Sequence, residues 1–507
     1  MTDTDVIIVG AGPTGLMLAA ELRLAGARPL VLERQPARRD TPKASGLGGQ
    51  ILELLRYRGI LDRFEAAGGE LHIAPRLPWG GVHIDLAQLA ESPMSALPIP
   101  QARVEDVLAE RAIELGAEIR RGHTVVAVDQ DAETVTAEVH GPDGTYRVTG
   151  RYLVACDGGR SRVRDMAAIV FPGVTYPEVN RFATVLLDDS VTIFDNGDID
   201  IPGLGRTAWG YTRTDRGVFA FGPAAPGTPI SIFTTEDDLT EYDGDEPMPL
   251  AEVRDSVRRV LGVELPFGSP TRLSRFTFQA RLADSYRAGR VLVAGDAAHQ
   301  FPTTGIALNA GMLDTVNLAW KLAAAIDGWA PAGLLDSYHT ERHLAGERTM
   351  LHSRAQVALR RGQDAAADAL RAVLEEVFSD DQALRRMGAF ISGGDIRYPM
   401  TVRHALTGLF APDLTVHTDQ GTTGVAELMR TARPVLLDLA DRPELRAVAR
   451  EWADRVDIHS GKTHDRPADA LLIRPDACVA WAATIDESAD SAAQSLRAAL
   501  TEWFGTP

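Results

Sequence analysis

The chain contains very little cysteine. Of its 507 residues only Cys156 and Cys478 are cysteines, and they lie far apart, outside any Cys-x-x-Cys pattern. This scarcity excludes a disulfide framework and a thiolate metal site, and it is typical of a reducing compartment. Basic residues are also in deficit, with 52 Lys and Arg against 70 Asp and Glu, so the formal net charge is −18. We therefore expect no nucleic acid partner, because such partners require a basic surface.

Long apolar runs are missing as well. No run reaches about 18 apolar residues, the length that predicts a membrane span. The N-terminal segment "MTDTDVIIVGAGPTGLMLAAEL" has no basic region and is interrupted by glycine and proline. The sequence thus predicts neither a signal peptide nor a membrane helix, and the expected location is the cytoplasm.

The side-chain sets of common hydrolases are absent too, with no Ser-His-Asp triad and no phosphate-binding P-loop in evidence. His339 and His343 have a metal-like spacing on a predicted helix, but no third ligand accompanies them, so we predict no metal site. The protein brings few reactive groups of its own, which favours chemistry carried out by a cofactor.

A dinucleotide-binding unit is present at the start of the chain. In "DVIIVGAGPTGLMLAAELRLAGARPLVLER" an apolar strand, Val6–Val9, is followed by Gly10, Gly12 and Gly15, then by a helical pattern and a second strand that ends at Glu33. The glycines allow a tight turn, a close approach of a pyrophosphate and close helix packing, and the terminal acid can bind ribose hydroxyls. The pattern leaves NAD and FAD open as alternatives. No second fingerprint follows a strand, so we predict one dinucleotide fold.

Two later segments repeat the same theme of polar turns after buried strands. "RYLVACDGGRSRVRDMAAI" places Asp157 and Gly158 after an apolar strand, and "RVLVAGDAAHQFPTTGIALNAGMLD" does the same with Gly295 and Asp296. Each alone is typical of an ordinary turn.

Taken together, these three ordered motifs resemble the flavoprotein aromatic hydroxylases with the para-hydroxybenzoate hydroxylase fold. The resemblance is closest to actinobacterial polyketide and antibiotic hydroxylases, including anhydrotetracycline and angucycline hydroxylases and rifampicin monooxygenase. It also rests on "PQARVEDVLAERAIELGAEIRRG", "NLAWKLAAAI" and "LLIRPDACVAWA", and it spans nearly the whole chain.

The resemblance implies an α/β fold in three parts. A Rossmann-like FAD-binding domain with a helical extension would comprise residues 1–170 and 286–395. An antiparallel β-sheet substrate domain would occupy 171–285, where short alternating strands replace the helix-strand pattern. Residues 400–507 would form a thioredoxin-like domain without redox cysteines, which would serve packing or oligomer contacts, and a homodimer is one assembly that it would allow.

The resemblance also implies the site. The residues binding FAD would be Gly10, Gly12, Pro13, Thr14, Gly15, Glu33, Arg34, Gln101, Arg103, Asp157, Gly158, Gly295, Asp296, Pro302, Leu308 and Asn309. Those nearest the reaction would be Pro302, Gly305 and Asn309. Trp209, Tyr211 and Phe221 are candidates for the substrate pocket and are equally typical of a core.

The activity implied is an FAD-dependent monooxygenase. NADH or NADPH would reduce FAD, O2 would add to give a C4a-hydroperoxyflavin, and one oxygen atom would pass to a bulky aromatic, polyketide-like small molecule in secondary metabolism or antibiotic modification. Baeyer–Villiger oxidation or epoxidation on the same scaffold is the close alternative. A protein that binds FAD and a drug without redox turnover is the alternative from a different class.

One segment departs from the family pattern. Relatives read approximately "GDAAHxxPPxGGQGLNxGxxD", whereas this chain has "GDAAHQFPTTGIALNAGMLD", one residue shorter. Ile306 is β-branched and tolerates positive φ badly, so we expect the loop to differ from the glycine conformation. Either the function is unchanged, or flavin mobility, oxygen transfer or activity itself is altered. We expect His299 to be a structural hydrogen-bonding residue rather than a proton shuttle.

Overall fold

The computed structural model describes residues 2–38, 44–73, 76–222, 224–238, 240, 242, 247–303, 305–419 and 421–507. Its first part contains β1 Val6–Val9, α1 Pro13–Leu24, β2 Pro29–Glu33, β3 Gly46–Gly48, α2 Gln50–Tyr57, α3 Leu61–Ala67, β4 His72–Ile73, β5 Arg76–Trp79, β6 Val82–Asp85, β7 Ser95–Pro98, α4 Gln101–Glu114, β8 Glu118–Arg121, β9 Thr124–Gln130, β10 Val135–Gly141, β11 Gly144–Gly150, β12 Tyr152–Ala155 and α5 Arg162–Met166.

A long antiparallel region follows. Its elements are β13 Gly173–Val185, β14 Thr192–Ile193, β15 Ile199–Ile201, β16 Gly205–Thr207, β17 Gly210–Thr214, β18 Gly217–Phe221, β19 Ile230–Asp237, α6 Leu250–Leu261 and β20 Arg272–Leu282.

The chain then returns to the first sheet and becomes helical. This part contains β21 Arg287–Ala288, β22 Val291–Val293, β23 His299–Gln300, α7 Ala307–Asp327, α8 Ser337–Arg361, α9 Ala365–Val377 and α10 Asp381–Ser392.

The last part is a small α/β unit. It comprises β24 Thr415–Thr418, β25 Gly421–Gly424, α11 Val425–Leu428, β26 Val435–Asp438, α12 Pro443–Ala449, β27 Asp457–Ser460, β28 Ala470–Ile473, β29 Val479–Ala483 and α13 Ala489–Phe504.

The nucleotide-type sheet has the strand order β21-β22-β12-β1-β2-β8, with β22 to β8 parallel and β21 antiparallel at the edge. β1 and β12 are wholly buried apolar strands, as expected of a parallel sheet covered on both faces. Helix α1 begins at Pro13, and proline is favoured at the first helical position. The three motifs all follow the carboxyl ends of neighbouring strands, where α/β sheets bind their ligands.

The antiparallel sheet has the order β17-β18-β19-β13-β20-β23. Strand β20 pairs with β13 along most of its length and, at its end, with β23, where Arg281 lies opposite Gln300 and Leu282 opposite His299. The last strand of this sheet is therefore a piece of the segment that follows Gly295, so the two large sheets meet at that loop.

The C-terminal sheet has the order β27-β26-β28-β29, with β26 and β27 parallel and the other pairs antiparallel. With α12 between the parallel strands and α13 after the last one, this is the thioredoxin-like arrangement expected from the sequence. Both cysteines are free and buried.

A buried ionic cluster joins the C-terminal unit to α7 and α8. The carboxylate of Glu341 accepts hydrogen bonds from Lys321 Nζ at 2.7 Å, Asn317 Nδ2 at 2.7 Å and Arg474 Nη2 at 2.8 Å. Asp476 also pairs with Arg474, at 2.5 Å. Lys321 and Arg474 are fully buried. Because each charge has a partner, the cluster holds the two parts together at a place from which water is excluded.

Candidate active site

One cavity of about 2470 Å³ runs from the nucleotide-type sheet to the antiparallel sheet. Ligand pockets for a single small molecule measure about 300–1000 Å³. This cavity therefore has room for a dinucleotide and a second, bulky molecule.

The glycines of the first turn shape its nucleotide end. Gly10 has φ +106°, and a Cβ there would lie 2.4 Å from the carbonyl oxygen of Cys156. A Cβ on Gly15 would lie 2.0 Å from the oxygen of Gly10, so α1 can pack against the strand only without a side chain at that position. At Gly12, in contrast, a Cβ would have no neighbour within 4 Å. That backbone faces the cavity at the N-terminus of α1, where the exposed N–H groups favour a phosphate.

Glu33 lies on the wall of the same end. Its Oε2 accepts a hydrogen bond from the backbone N–H of Ala11 and its Oε1 one from Gln35, both at 2.8 Å. The carboxylate is thereby fixed against the glycine turn, with lone pairs left for ribose hydroxyls.

Asp157 closes the middle of the cavity. Its Oδ2 accepts hydrogen bonds from the backbone N–H groups of Arg162, at 3.0 Å, and Val163. Its Oδ1 is buried and has no hydrogen-bond partner among the residues that the structure describes. Burial raises the pKa of this carboxyl group despite those hydrogen bonds. Such an orphaned oxygen on a cavity wall fits a ligand that supplies a donor.

Asp296 is exposed to the cavity, although from Val291 to His299 every other residue is buried. Gly295 has φ +61° and packs on Thr14, whose Oγ1 would lie 2.6 Å from a Cβ at that position. The turn thus directs one carboxylate at the cavity and no other side chain.

The loop after Asp296 is held from behind by Asp314, a fully buried residue of α7. Its carboxylate accepts hydrogen bonds from the N–H of Gly295 at 3.0 Å, His299 Nε2 at 2.7 Å and Arg342 Nε at 2.7 Å. Burial alone would raise the pKa of Asp314, but His299 and Arg342 outweigh it and hold the pKa below its ordinary value. Arg342 also donates to the hydroxyl of Tyr398. His299 thus has a structural hydrogen bond, as expected.

The shortened turn accommodates Ile306 without strain. Gly305 has φ +85°. Ile306 has φ −105° and ψ −38°, the right-handed region that suits a β-branched residue, and it is the N-cap of α7. Asn309 Nδ2 donates to the oxygen of Gly305 at 2.9 Å, and its Oδ1 accepts from the N–H of Gly48 at 3.4 Å. The neighbouring Thr304 lies outside the described residues.

The other end of the cavity is lined by aromatic side chains. They include the three candidates Trp209, Tyr211 and Phe221, and also Tyr176, Phe182, Phe233, Phe276 and Phe278. The last five are not among the residues predicted from the sequence. Two of them, Phe276 and Phe278, occupy alternate positions of β20, which is the available signal. Trp209 packs edge-on against His83, with ring centroids 5.7 Å apart. This end therefore suits a flat, largely apolar molecule.

Most of the residues predicted from the sequence line this one cavity. Those lining the cavity are Gly10, Gly12, Pro13, Thr14, Glu33, Arg34, Gln101, Asp157, Gly158, Asp296, Gly305, Leu308, Asn309, Trp209, Tyr211 and Phe221. Gly15, Gly295 and Pro302 lie behind the wall and are buried. The side chain of Arg103 is 63% exposed and pairs with Asp106 at 3.4 Å. Arg103 is not among the residues that line the cavity.

The geometry fits FAD, because a glycine turn at a helix N-terminus, the carboxylate of Glu33 and the inward-facing carboxylate of Asp296 line one long cavity. Residues 3–353 match the family model described as an FAD binding domain, and residues 404–507 match that of the aromatic-ring hydroxylase C-terminal domain. The chain belongs to the FAD-dependent aromatic-ring hydroxylases. The family prediction from the sequence is thereby confirmed.

Individual relatives agree with this membership. The chain is 39% identical to a 12-dehydrotetracycline 5-monooxygenase/anhydrotetracycline 6-monooxygenase of Streptomyces rimosus, over 99% of each chain. It is 38% identical to a dialkyldecalin synthase of Streptomyces rugosporus, over 100% of this chain and 99% of that one. Among solved structures, an aromatic hydroxylase from angucycline biosynthesis superposes with a TM-score of 0.87 at 37% identity, covering 100% of both chains.

The chain is thus a flavin-dependent monooxygenase that uses FAD, with NAD(P)H as co-substrate. No helix in the described part of the chain is long and apolar enough to cross a membrane. Nor do the described residues contain a group of three or more His, Cys, Asp or Glu side chains placed to hold a metal ion.

Replacing Asp296 by alanine is expected to weaken FAD binding by about tenfold to a hundredfold, because a hydrogen bond to a charged group contributes about 1.5–3 kcal/mol. The measurement is the FAD dissociation constant of the apoprotein, obtained from flavin fluorescence. Asp215→Ala is the matched control, since that side chain is 88% exposed and lies outside the cavity wall. Equal FAD affinity in both variants would remove Asp296 from the cofactor site.

Proposed function

We propose that this monooxygenase hydroxylates a fused-ring aromatic polyketide, in secondary metabolism or antibiotic modification. The observation that carries the proposal is the cavity of about 2470 Å³, which extends past the nucleotide end into a wall of aromatic side chains. The named substrates of the tetracycline-type relative support the same class.

The roles of the chain's residues follow from their positions. Gly12 and the N-terminus of α1 would bind the pyrophosphate, Glu33 a ribose, and Asp157 and Asp296 the part of the cofactor between its two ring systems. When bound, FAD takes two electrons from NAD(P)H and activates O2 for the transfer of one oxygen atom.

The start of α7 would face the reactive end of the cofactor. Its N-cap, Ile306, offers no side-chain hydrogen bond, so the first backbone N–H groups, near Leu308, remain available on the cavity wall. They and the helix dipole favour negative charge at that place. Phe301 stacks on His299, with centroids 4.6 Å apart, and is buried beside the loop, where it helps to exclude water.

The decisive experiment supplies FAD-loaded protein with NADH or NADPH, isotopically labelled O2 and a panel of fused-ring polyketides that includes anhydrotetracycline. We expect NAD(P)H consumption to rise with substrate and one labelled oxygen atom to enter the product. NMR of the product separates ring hydroxylation from the ester of a Baeyer–Villiger reaction or an epoxide.

The synthase among the relatives gives the same experiment a second use. One outcome would be that neither NADH nor NADPH reduces the flavin, although a polyketide of the panel is bound or rearranged. A role without redox turnover would then replace the proposal.

We also propose the division of the chain at 1–170 with 286–395, 171–285 and 400–507, a cytoplasmic location and a homodimeric assembly. The buried free thiols support the reducing location. Light scattering of the FAD-loaded protein tests the assembly, and a monomer at micromolar concentration would contradict it.

A further inference from the structure

Helix α8 contributes a polar side chain to the cavity, whose wall near the aromatic residues also includes Arg272, Ser274 and Gln279. Gln356 lies on the cavity wall together with Thr303, from the loop before α7. Thr303 Oγ1 and Gln356 Oε1 are 3.2 Å apart, so the hydroxyl donates to the amide oxygen. In the approximate family pattern "PPxGGQG" the second proline stands where this chain has Thr303, so the hydroxyl is a departure from that pattern.

A contact between Gln356 and His352 orients the amide group that accepts the hydrogen bond from Thr303. Gln356 Nε2 lies 3.4 Å from Nδ1 of His352, which is one helical turn earlier and buried. Burial, and to a lesser degree the charge of Arg348, lowers the pKa of His352 to about 4, so the imidazole is neutral at neutral pH. An amide nitrogen can only donate, so His352 Nδ1 accepts, with the imidazole proton on Nε2, and Gln356 presents its oxygen to Thr303.

The consequence concerns the cavity side of Thr303. A threonine hydroxyl has one proton and two lone pairs. Since its proton is directed at Gln356, it offers only lone pairs to a bound molecule. A ring hydroxyl can donate its proton to one of these lone pairs, whereas a carbonyl or an ether oxygen has no proton to donate.

We propose that Thr303, oriented by Gln356, binds a phenolic or enolic hydroxyl of the substrate and thereby selects its ring substitution. This inference rests on the proposed function, since it names the substituent that a fused-ring substrate presents to α8. Thr303 is the contact, and Gln356 is a positioning residue that acts through it.

The test compares 2-hydroxyanthraquinone, whose hydroxyl is free to donate, with its methyl ether, 2-methoxyanthraquinone, as ligands of the FAD-loaded protein. Binding is followed by the change in flavin absorbance. The wild-type protein is expected to bind the hydroxy compound about three- to tenfold more tightly, the equivalent of one net hydrogen bond. Thr303→Val, which keeps the shape, is expected to bind the two equally, and Thr303→Ser to restore the preference.

Gln356→Met provides the second variant. It keeps the length of the side chain and removes the acceptor, so the Thr303 proton is free to turn towards the cavity. The preference for the hydroxyl compound is then expected to fall although Thr303 is present, a change that a purely structural role of Gln356 would not cause.

Three results would overturn the assignment: no preference in the wild-type protein, a full preference in Thr303→Val, or no binding of either anthraquinone. None of them touches the proposed function, which is decided by the labelled-oxygen experiment. Conversely, the binding preference for the hydroxy compound could be intact while no product carries the label. That result would support the Thr303 contact and contradict the proposed hydroxylation.

Discussion

Replacing Glu341 by glutamine is expected to lower the free energy of unfolding by about 3–5 kcal/mol, the cost of breaking a buried ion pair from one side. Glu341 is 1% exposed. The substitution leaves the cations of Lys321 and Arg474 facing a neutral amide. The remaining carboxylate, that of Asp476, forms an ion pair with Arg474. Urea unfolding followed by tryptophan fluorescence suits the measurement, because Trp503 lies 4.4 Å from the Arg474 guanidinium.

Glu451→Gln is the matched control for this change. Glu451 also pairs with an arginine, Arg497, but both side chains are exposed, at 42% and 47%. Exposed ion pairs contribute little to the free energy of unfolding. Equal midpoints for the two variants would show that the buried cluster does not hold the C-terminal unit in place.

The same cluster predicts a pH dependence. Burial alone would raise the pKa of Glu341, but the charges of Arg474 and Lys321 outweigh it and lower the pKa to about 2 from 4.5. The folded protein therefore keeps this carboxylate ionised where the unfolded chain would protonate it. Its contribution to stability is complete above about pH 4.5 and is lost as the pH falls towards 2. Wild type and Glu341→Gln are expected to converge in stability over that window in acid unfolding curves.

The second large effect is expected at Asp314. All three of its hydrogen-bond partners donate, so an asparagine there would have to direct its own amide donor at one of them. Asp314→Asn is therefore expected to displace the Gly295 turn and to raise the FAD dissociation constant at least tenfold, with a lower melting temperature of the apoprotein. Both quantities are obtained from flavin fluorescence and thermal unfolding.

Asp336→Asn supplies the comparison, since Asp336 is 72% exposed and pairs with Arg287 on the surface. If Asp314→Asn binds FAD as tightly as Asp336→Asn, the carboxylate does not position the turn.

The sequence was sufficient for the fold, and it predicts the residues of the nucleotide end of the site. Gly10, Gly12 and Glu33 could be assigned because a short strand, a turn and a helix N-terminus are determined locally. The polar turns at Asp157 and Asp296 became informative only through the family pattern.

The parts that could not be predicted depend on contacts between distant segments. Asp314 is visible in the sequence as a charge within an apolar helix, but its partners Gly295 and Arg342 come together only in the fold. The family motif predicts that Arg103 contacts FAD, and this stays a prediction; in the fold its guanidinium pairs with Asp106, one turn later on α4. Likewise, the conformation of Ile306 follows from the position of α7 and not from the glycine pattern of relatives.

The pairing of β20 with β23 has a practical consequence for chimeric enzymes. Because Leu282 pairs with His299 across the ladder, the antiparallel sheet continues into the segment after Gly295 and does not end at Leu282. A graft that exchanged this sheet between relatives and stopped at Leu282 would pair a foreign strand with the native flavin loop. If the exchanged segment extends through Gln300, both strands of this pair come from the same parent enzyme. The loop that contains Asp296 then keeps its conformation beside the cofactor site.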